Sequence, residues 1–247
     1  MNDIKDNREK LRRAASRMQP MRVRGVGVLL AASLVLGIAS GTRPAAQQSG
    51  VVRGRVEIGI PVTVRRPSAA YPTRSVAQPV LAPASELRHV VVFLKDAPAR
   101  PTEPMMVEIR QRDENFIPRV VAVPVGSDVG FPNDDPIYHN VFSLSRAKSF
   151  NLGRFPRGDT RSVHVTKPGI IKVFCDIHSH MTATIMVFNH PWFTVVGEDG
   201  RFELTGVPSG ARTITAWHER LGETTAPVRV DAGGVTETNF VLPVPAQ

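Results

Sequence analysis

Proline and glycine recur so closely from Val51 onward that few runs of the chain are longer than a strand, and the 21 prolines and 19 glycines mark turns throughout. Between them lie short stretches rich in β-branched residues: VVRGRVEI, PVTVRR, HVVVFL, MMVEIRQ, RVVAVPVG, SVHVT, GIIKVF, TATIMVF, RFELTGV, ARTITAW and TETNFVL. Such runs at such spacing predict an all-β sandwich or barrel, and no stretch carries a convincing amphipathic helical pattern. Residues 67–87, PSAAYPTRSVAQPVLAPASEL, are rich in Pro, Ala and Ser and read as an irregular surface loop. The remainder falls into two groups, a central part of about residues 103–189 and a tidier alternating part from residue 191 onward.

The first 41 residues read as a targeting segment. Arg12, Arg13, Arg17, Arg22 and Arg24 precede VGVLLAASLVLGIAS, which has the length of a signal-peptide core rather than of a membrane span, and Ala39, Ser40 and Gly41 offer a cleavage site. An uncleaved N-terminal anchor is the alternative and the sole membrane attachment expected; either form exports the rest to the periplasm or outside the cell. No cysteine stands directly after the apolar core to carry a lipid, and Arg12-Arg13 lies too far from it for twin-arginine export.

Without that segment the formal charge of +9 falls to about +4, because its residues hold eight Lys/Arg against three Asp/Glu. Nucleic-acid binding is not expected of so mild an excess. SRAKSFNLGRFPRGDTR is a local exception, with Arg146, Lys148, Arg154, Arg157 and Arg161 facing only Asp159. It reads either as a solvated loop or as a docking patch for an acidic partner.

Chemistry concentrates in FCDIHSHM. Cys175 is the only cysteine, so it has no disulfide partner within the chain, and it stands with His178 and Met181 in a C-x-x-H-x-x-M spacing. Thiolate, imidazole and thioether are soft or borderline donors that select copper over calcium or magnesium. A blue-copper site needs a second histidine from elsewhere, and His139, in FPNDDPIYHNVFS, is the candidate. His180 competes with His178 for the second nitrogen. Taken singly, His139 is equally a loop histidine and Met181 a core residue, and one Cys with two His also suits zinc. Further His-x-His clusters, a second cysteine and a GxSxG-like elbow are all missing, which speaks against a multicopper oxidase, a binuclear copper centre and a serine hydrolase.

These residues carry a resemblance. FIPRVVAVPVGSDVGFPN, HNVF and VTKPGIIKVFCDIHSHM together resemble the cupredoxins, the family of plastocyanin, amicyanin and pseudoazurin, and the C-x-x-H-x-x-M spacing is that of amicyanin. The resemblance covers residues 103–189 and implies a Greek-key β-sandwich with one type 1 copper. His139, Cys175 and His178 would then be equatorial ligands and Met181 the axial one. Asn140 would be the neighbour that ties the ligand loops together and hydrogen-bonds near the thiolate. The implied function is one-electron transfer between redox protein partners, without catalysis; the alternative is a metal-free, copper-storing or copper-delivering scaffold.

GEDGRFELTGVPSGARTITAW in turn resembles the carboxypeptidase-regulatory-like family of small, transthyretin-like β-sandwiches. Its missing first strands are expected upstream, in GRVEI and HVVVFL. The copper domain would then be inserted into a split sandwich of residues 51–98 and 191–243, or else the early strands would join the copper domain's own sheet. Trp217 and His218 are candidates for a contact site or for packing.

Overall fold

The computed structural model describes residues 48–59 and 84–243; the leader, PVTVRR and most of the 67–87 segment lie outside the described residues. The described residues are all-β apart from one helical turn, α1 (Ala84–Leu87). That turn corrects the expectation of an irregular loop up to residue 87. Among the described residues no helix is long and apolar enough to cross a membrane.

The strands sort into two sets. The first comprises β3 (Met106–Glu108), β4 (Arg110–Arg112), β5 (Asn115–Ile117), β6 (Val120–Pro124), β7 (Asp128–Pro132), β8 (His139–Leu144), β9 (Ser149–Phe155), β10 (Thr160–His164), β11 (Gly169–Phe174) and β12 (Thr182–Phe188). They form a five-stranded sheet in the order β6-β12-β11-β8-β9, a three-stranded sheet β10-β7-β3 and the hairpin β4-β5. The second set comprises β1 (Ser49–Gly59), β2 (Val90–Leu94), β13 (Phe193–Val195), β14 (Arg201–Pro208), β15 (Gly210–His218), β16 (Gly222–Val230), β17 (Val235–Glu237) and β18 (Phe240–Pro243). Here β14, β17 and β18 flank β1, and β13-β2-β15-β16 form the other sheet. Among the described residues β1 and β2 pair only within this second set, so they do not extend the first set's sheets.

Each set encloses a core built from the inward residues of alternating strands. Ile109, Phe131, Val141, Phe155, Ile171 and Ile185 belong to the first, and Val52, Leu94, Phe202, Ile214 and Leu242 to the second. The unbroken apolar run TATIMVF is explained by β12, which is central in its sheet and covered on both faces. Ala183, Ile185 and Val187 face the first core, whereas Met186 and Phe188 turn the other way and pack with Val91 and Val120 in a third cluster between the two sets. Glu219, beyond β15, adds ion pairs to Lys172 of β11 at 2.7 Å and to Arg119 at 3.3 Å.

Three local features depart from the runs read in sequence. MMVEIRQ splits into β3, parallel to β7, and β4, antiparallel to β5, with Ile109 between them buried in the first core. TETNFVL splits likewise into β17 and β18, both parallel to β1. Gly54 marks that switch, since a Cβ there would stand 1.6 Å from the Thr238 carbonyl oxygen, a close approach only glycine permits. SFNLGRF, expected as part of a loop, is the edge strand β9, held to β8 and packed through Phe150 and Leu152.

Candidate metal centre

His139 opens β8, and the Asn133–Tyr138 loop before it is fixed by its own polar side chains. Asn133 donates from Nδ2 to the Ile137 and Phe155 carbonyls at 2.9 and 3.1 Å, and its Oδ1 accepts from the Asp135 N–H at 2.9 Å. The loop thereby turns Asp135 inward and Asp134 outward, where Asp134 pairs with Arg110 at 2.7 Å. The Asp135 carboxylate accepts from the backbone N–H of Asp113 at 2.7 Å and of Glu114 at 2.9 Å, and meets His139 Nε2 at 2.8 Å. Asp113 and Glu114, both at φ 52°, form the two-residue turn of the β4-β5 hairpin, a left-handed geometry unusual for non-glycine residues that these bonds support. Burial opposes the charged form of Asp135, but the hydrogen bonds from Glu114, His139 and Asp113 outweigh it and hold the pKa below the ordinary carboxylate value.

Cys175 follows β11, whose last residue, Phe174, pairs with Phe142 of β8 and Thr182 of β12; this pairing brings the cysteine loop to the start of β8. The loop closes through the Met181 N–H donating to the His178 carbonyl at 3.0 Å. His139 Nδ1 and His178 Nδ1 consequently lie 3.0 Å apart, and Cys175 Sγ is 4.0 Å from His178 Nδ1. One donor atom from each of the three residues lies within 4.8 Å of the others. His139 is fully buried and Cys175 nearly so, while the His178 side chain is 19% exposed and forms the rim of the cluster.

The donor set fits a metal ion on two counts. Three nitrogen and sulfur ligands at about 2.0–2.3 Å from a common ion stand roughly 3.3–4 Å from one another, close to the spacings found. When Nε2 donates its proton to Asp135, His139 turns an Nδ1 lone pair toward the point where His178 Nδ1 and the thiol sulfur also converge. Two ring nitrogens 3.0 Å apart need a proton or a cation between them, and a metal ion can fill that place.

Other expected site residues sort as follows. His180 is 58% exposed and lies outside the cluster, with Nε2 3.8 Å from Glu114, so the structure groups His178 rather than His180 with the thiol. Met181 is buried in the same core as Cys175. Asn140 is buried, but its Nδ2 donates to Asn151 of β9 at 3.2 Å instead of to the ligand loop, and its Oδ1 has no partner among the described residues. In the basic stretch, Arg154 pairs with Asp176 at 3.1 Å and Arg161 lies over the Phe155 ring, while Arg146, Lys148 and Arg157 make no ion pair among the described residues. Sequence reasoning missed Asp135 and Glu114; an acid four residues before a ligand histidine in a proline-bounded loop was the available signal, but Asp134 and Asp135 could not be told apart by it.

A second group, Glu86, His89 and His218, is equally close-set. Here the wiring opposes a metal. His218 Nδ1 accepts the backbone N–H groups of Arg220 and Leu221 at 3.2 and 3.3 Å, so in the neutral ring the proton sits on Nε2 and points at Glu86, 3.2 Å away. Arg220 takes the same carboxylate oxygen at 2.8 Å. Burial lowers the His218 pKa and keeps the ring neutral. His218 is thus a packed structural residue, not a contact site.

No family model matches the chain, and no curated protein matches it. Solved structures similar to parts of it include a copper-containing nitrite reductase from Thermus scotoductus, 25% identical with a TM-score of 0.33 over 38% of this chain and 25% of that one. The chain thus spans a quarter of the nitrite reductase. A purple cupredoxin from Nitrosopumilus maritimus is 26% identical over 31% of this chain and 84% of that one, with a TM-score of 0.28. A Cu(I) form of an amicyanin mutant is 16% identical over 39% of this chain and 98% of that one, with a TM-score of 0.32. On its own geometry, the chain is an all-β protein with a His139–Cys175–His178 cluster compatible with a mononuclear copper ion.

Proposed function

We propose that the chain is an exported cupredoxin-like protein that holds one type 1 copper through His139, Cys175 and His178, with Met181 as axial ligand, and carries single electrons between redox proteins. The convergence of the three donor atoms within 4.8 Å carries this reading. A bound copper would supply a Cu(II)/Cu(I) couple. The chain's own part is to pre-set the ligands: β8 and β11 belong to one sheet, so His139 and Cys175 approach on a rigid scaffold and little needs to rearrange when the charge changes. Burial of His139 and Cys175 keeps small substrates from the centre, which supports a carrier rather than an enzyme, and leaves the His178 edge as the way in and out for an electron.

The second set of strands is read as a split carboxypeptidase-regulatory-like sandwich of residues 51–98 and 191–243 that supports the copper domain of 103–189. The basic stretch of Arg146, Lys148, Arg154, Arg157 and Arg161 is read as a docking patch for an acidic redox partner. Copper titration of the purified protein tests the function. One equivalent should raise an intense thiolate-to-copper visible band that bleaches reversibly on reduction. No binding, or binding at a site that Cys175→Ser leaves intact, would overturn the proposal; a tight but colourless complex would instead make the protein a copper holder.

A further inference from the structure

Two backbone N–H donors from the tip of the β4-β5 hairpin, at 2.7 and 2.9 Å, and the ring nitrogen His139 Nε2, at 2.8 Å, converge on the Asp135 carboxylate. Each carboxylate oxygen accepts one backbone N–H, which favours the ionised form, and an ionised carboxylate beside His139 requires the ring proton on Nε2. The Asp135 side chain is 8% exposed, and no Lys or Arg pairs with it among the described residues, because Arg110 is taken by Glu108 and by the outward-facing Asp134. A nearly buried negative charge therefore lies directly behind one ring of the cluster, within ion-pair distance of no Lys or Arg among the described residues, while Arg112 and Arg157 line the open depression it borders. Glu114 belongs to the same hairpin tip. It stands 3.9 Å from His178 Nε2, but it is 48% exposed and screened by water.

We propose that Asp135 is a positioning residue that fixes His139 in the Nε2–H tautomer, leaving Nδ1 free to bind, and whose charge biases the centre toward the oxidised ion. The potential half of this inference rests on the copper reading above; the tautomer half does not. Two consequences follow from the wiring. The carboxylate raises the donor strength of His139, and it favours Cu(II) over Cu(I) by the attraction of a nearby fixed charge, which is stronger in a poorly solvated site than in water. The hairpin tip holds the carboxylate in place from behind, so the arrangement exists before any metal enters.

The test compares the full-length protein with Asp135→Asn, which removes the charge but keeps an acceptor, and with Asp134→Asn, which removes the outward charge next door. Loss of such an outer hydrogen-bonding partner typically weakens metal binding about 10- to 100-fold. Asp135→Asn should weaken Cu(II) at least tenfold more than Cu(I), which raises the midpoint potential by about 59 mV for a one-electron couple. Asp134→Asn should leave the potential where it is, and Glu114→Gln should raise it by a minor fraction of the Asp135→Asn shift. Equal potentials for the wild type and Asp135→Asn would overturn the charge effect.

Nitrogen-15 NMR of the metal-free protein reads the other half directly. The wild type should show the His139 proton on Nε2, and Asp135→Ala should show a mixed tautomer; a wild-type proton on Nδ1 would overturn the positioning role. If Asp135→Ala does not fold, the wild-type spectrum and the Asp135→Asn potential decide the matter. If the wild type takes up no copper, the copper reading falls together with the potential half, and the tautomer spectrum still decides the positioning half.

Discussion

Among the described residues, two groups of ligand-type side chains pair a buried histidine with an acid, and they are wired in opposite senses. At His139 the acid holds Nε2 and the free Nδ1 looks toward a second imidazole and a thiol. At His218 the backbone holds Nδ1 as an acceptor, and Nε2–H is spent on a glutamate already paired with an arginine. Proximity of ligand-type residues is the same in both, and only the direction of the lone pairs separates a place for a cation from a closed hydrogen-bond network.

The largest effect expected from breaking the comparison is on binding. His139→Ala or His178→Ala should abolish tight copper uptake, whereas His180→Ala and His218→Ala should leave one equivalent bound, as read by titration; a loss of uptake in His180→Ala would reassign the second nitrogen. Stability should show the reverse ranking. His218→Ala leaves a cavity and two unpaired backbone N–H groups, and should cost about 2–4 kcal/mol in denaturant unfolding of the metal-free protein.

At His218 pH acts through burial. Burial depresses the pKa of His218, so the unfolded chain takes up a proton that the folded one refuses. That contribution is complete above the ordinary histidine value of about 6.5 and is lost as pH falls through the lower folded value. The metal-free thermal midpoint should therefore hold from pH 8 to 7 and decline toward pH 5, with a shallower decline in His218→Gln. A slope unchanged by that substitution would place the titration elsewhere. The smallest effect is at the junction of the two strand sets, where Glu219→Gln weakens the contacts to Lys172 and Arg119. About 1 kcal/mol is expected there, reduced by salt in the wild type and not in the variant.

What could be read in the sequence was whatever is local. Cys175 and His178 lie three residues apart on one loop, and their donor chemistry marks them without knowledge of the fold. The runs of β-branched residues likewise declared the strands. The His218 network was out of reach because Glu86 lies 132 residues away and its hydrogen bonds are made by backbone groups that carry no sequence signature. Asp135 was hidden differently: it sits beside Asp134, and which of the two turns inward is decided by the side chain of Asn133. Edge strand β9 escaped notice because only Phe150 and Leu152 mark its inner side, amid glycine and basic residues.

Copper K-edge X-ray absorption on the loaded protein reads directly whether one metal is gathered by His139, Cys175 and His178. The expected first shell is two imidazole nitrogens and one short sulfur, with the sulfur lost in Cys175→Ser. A wild-type shell of nitrogen and oxygen alone would contradict that assignment.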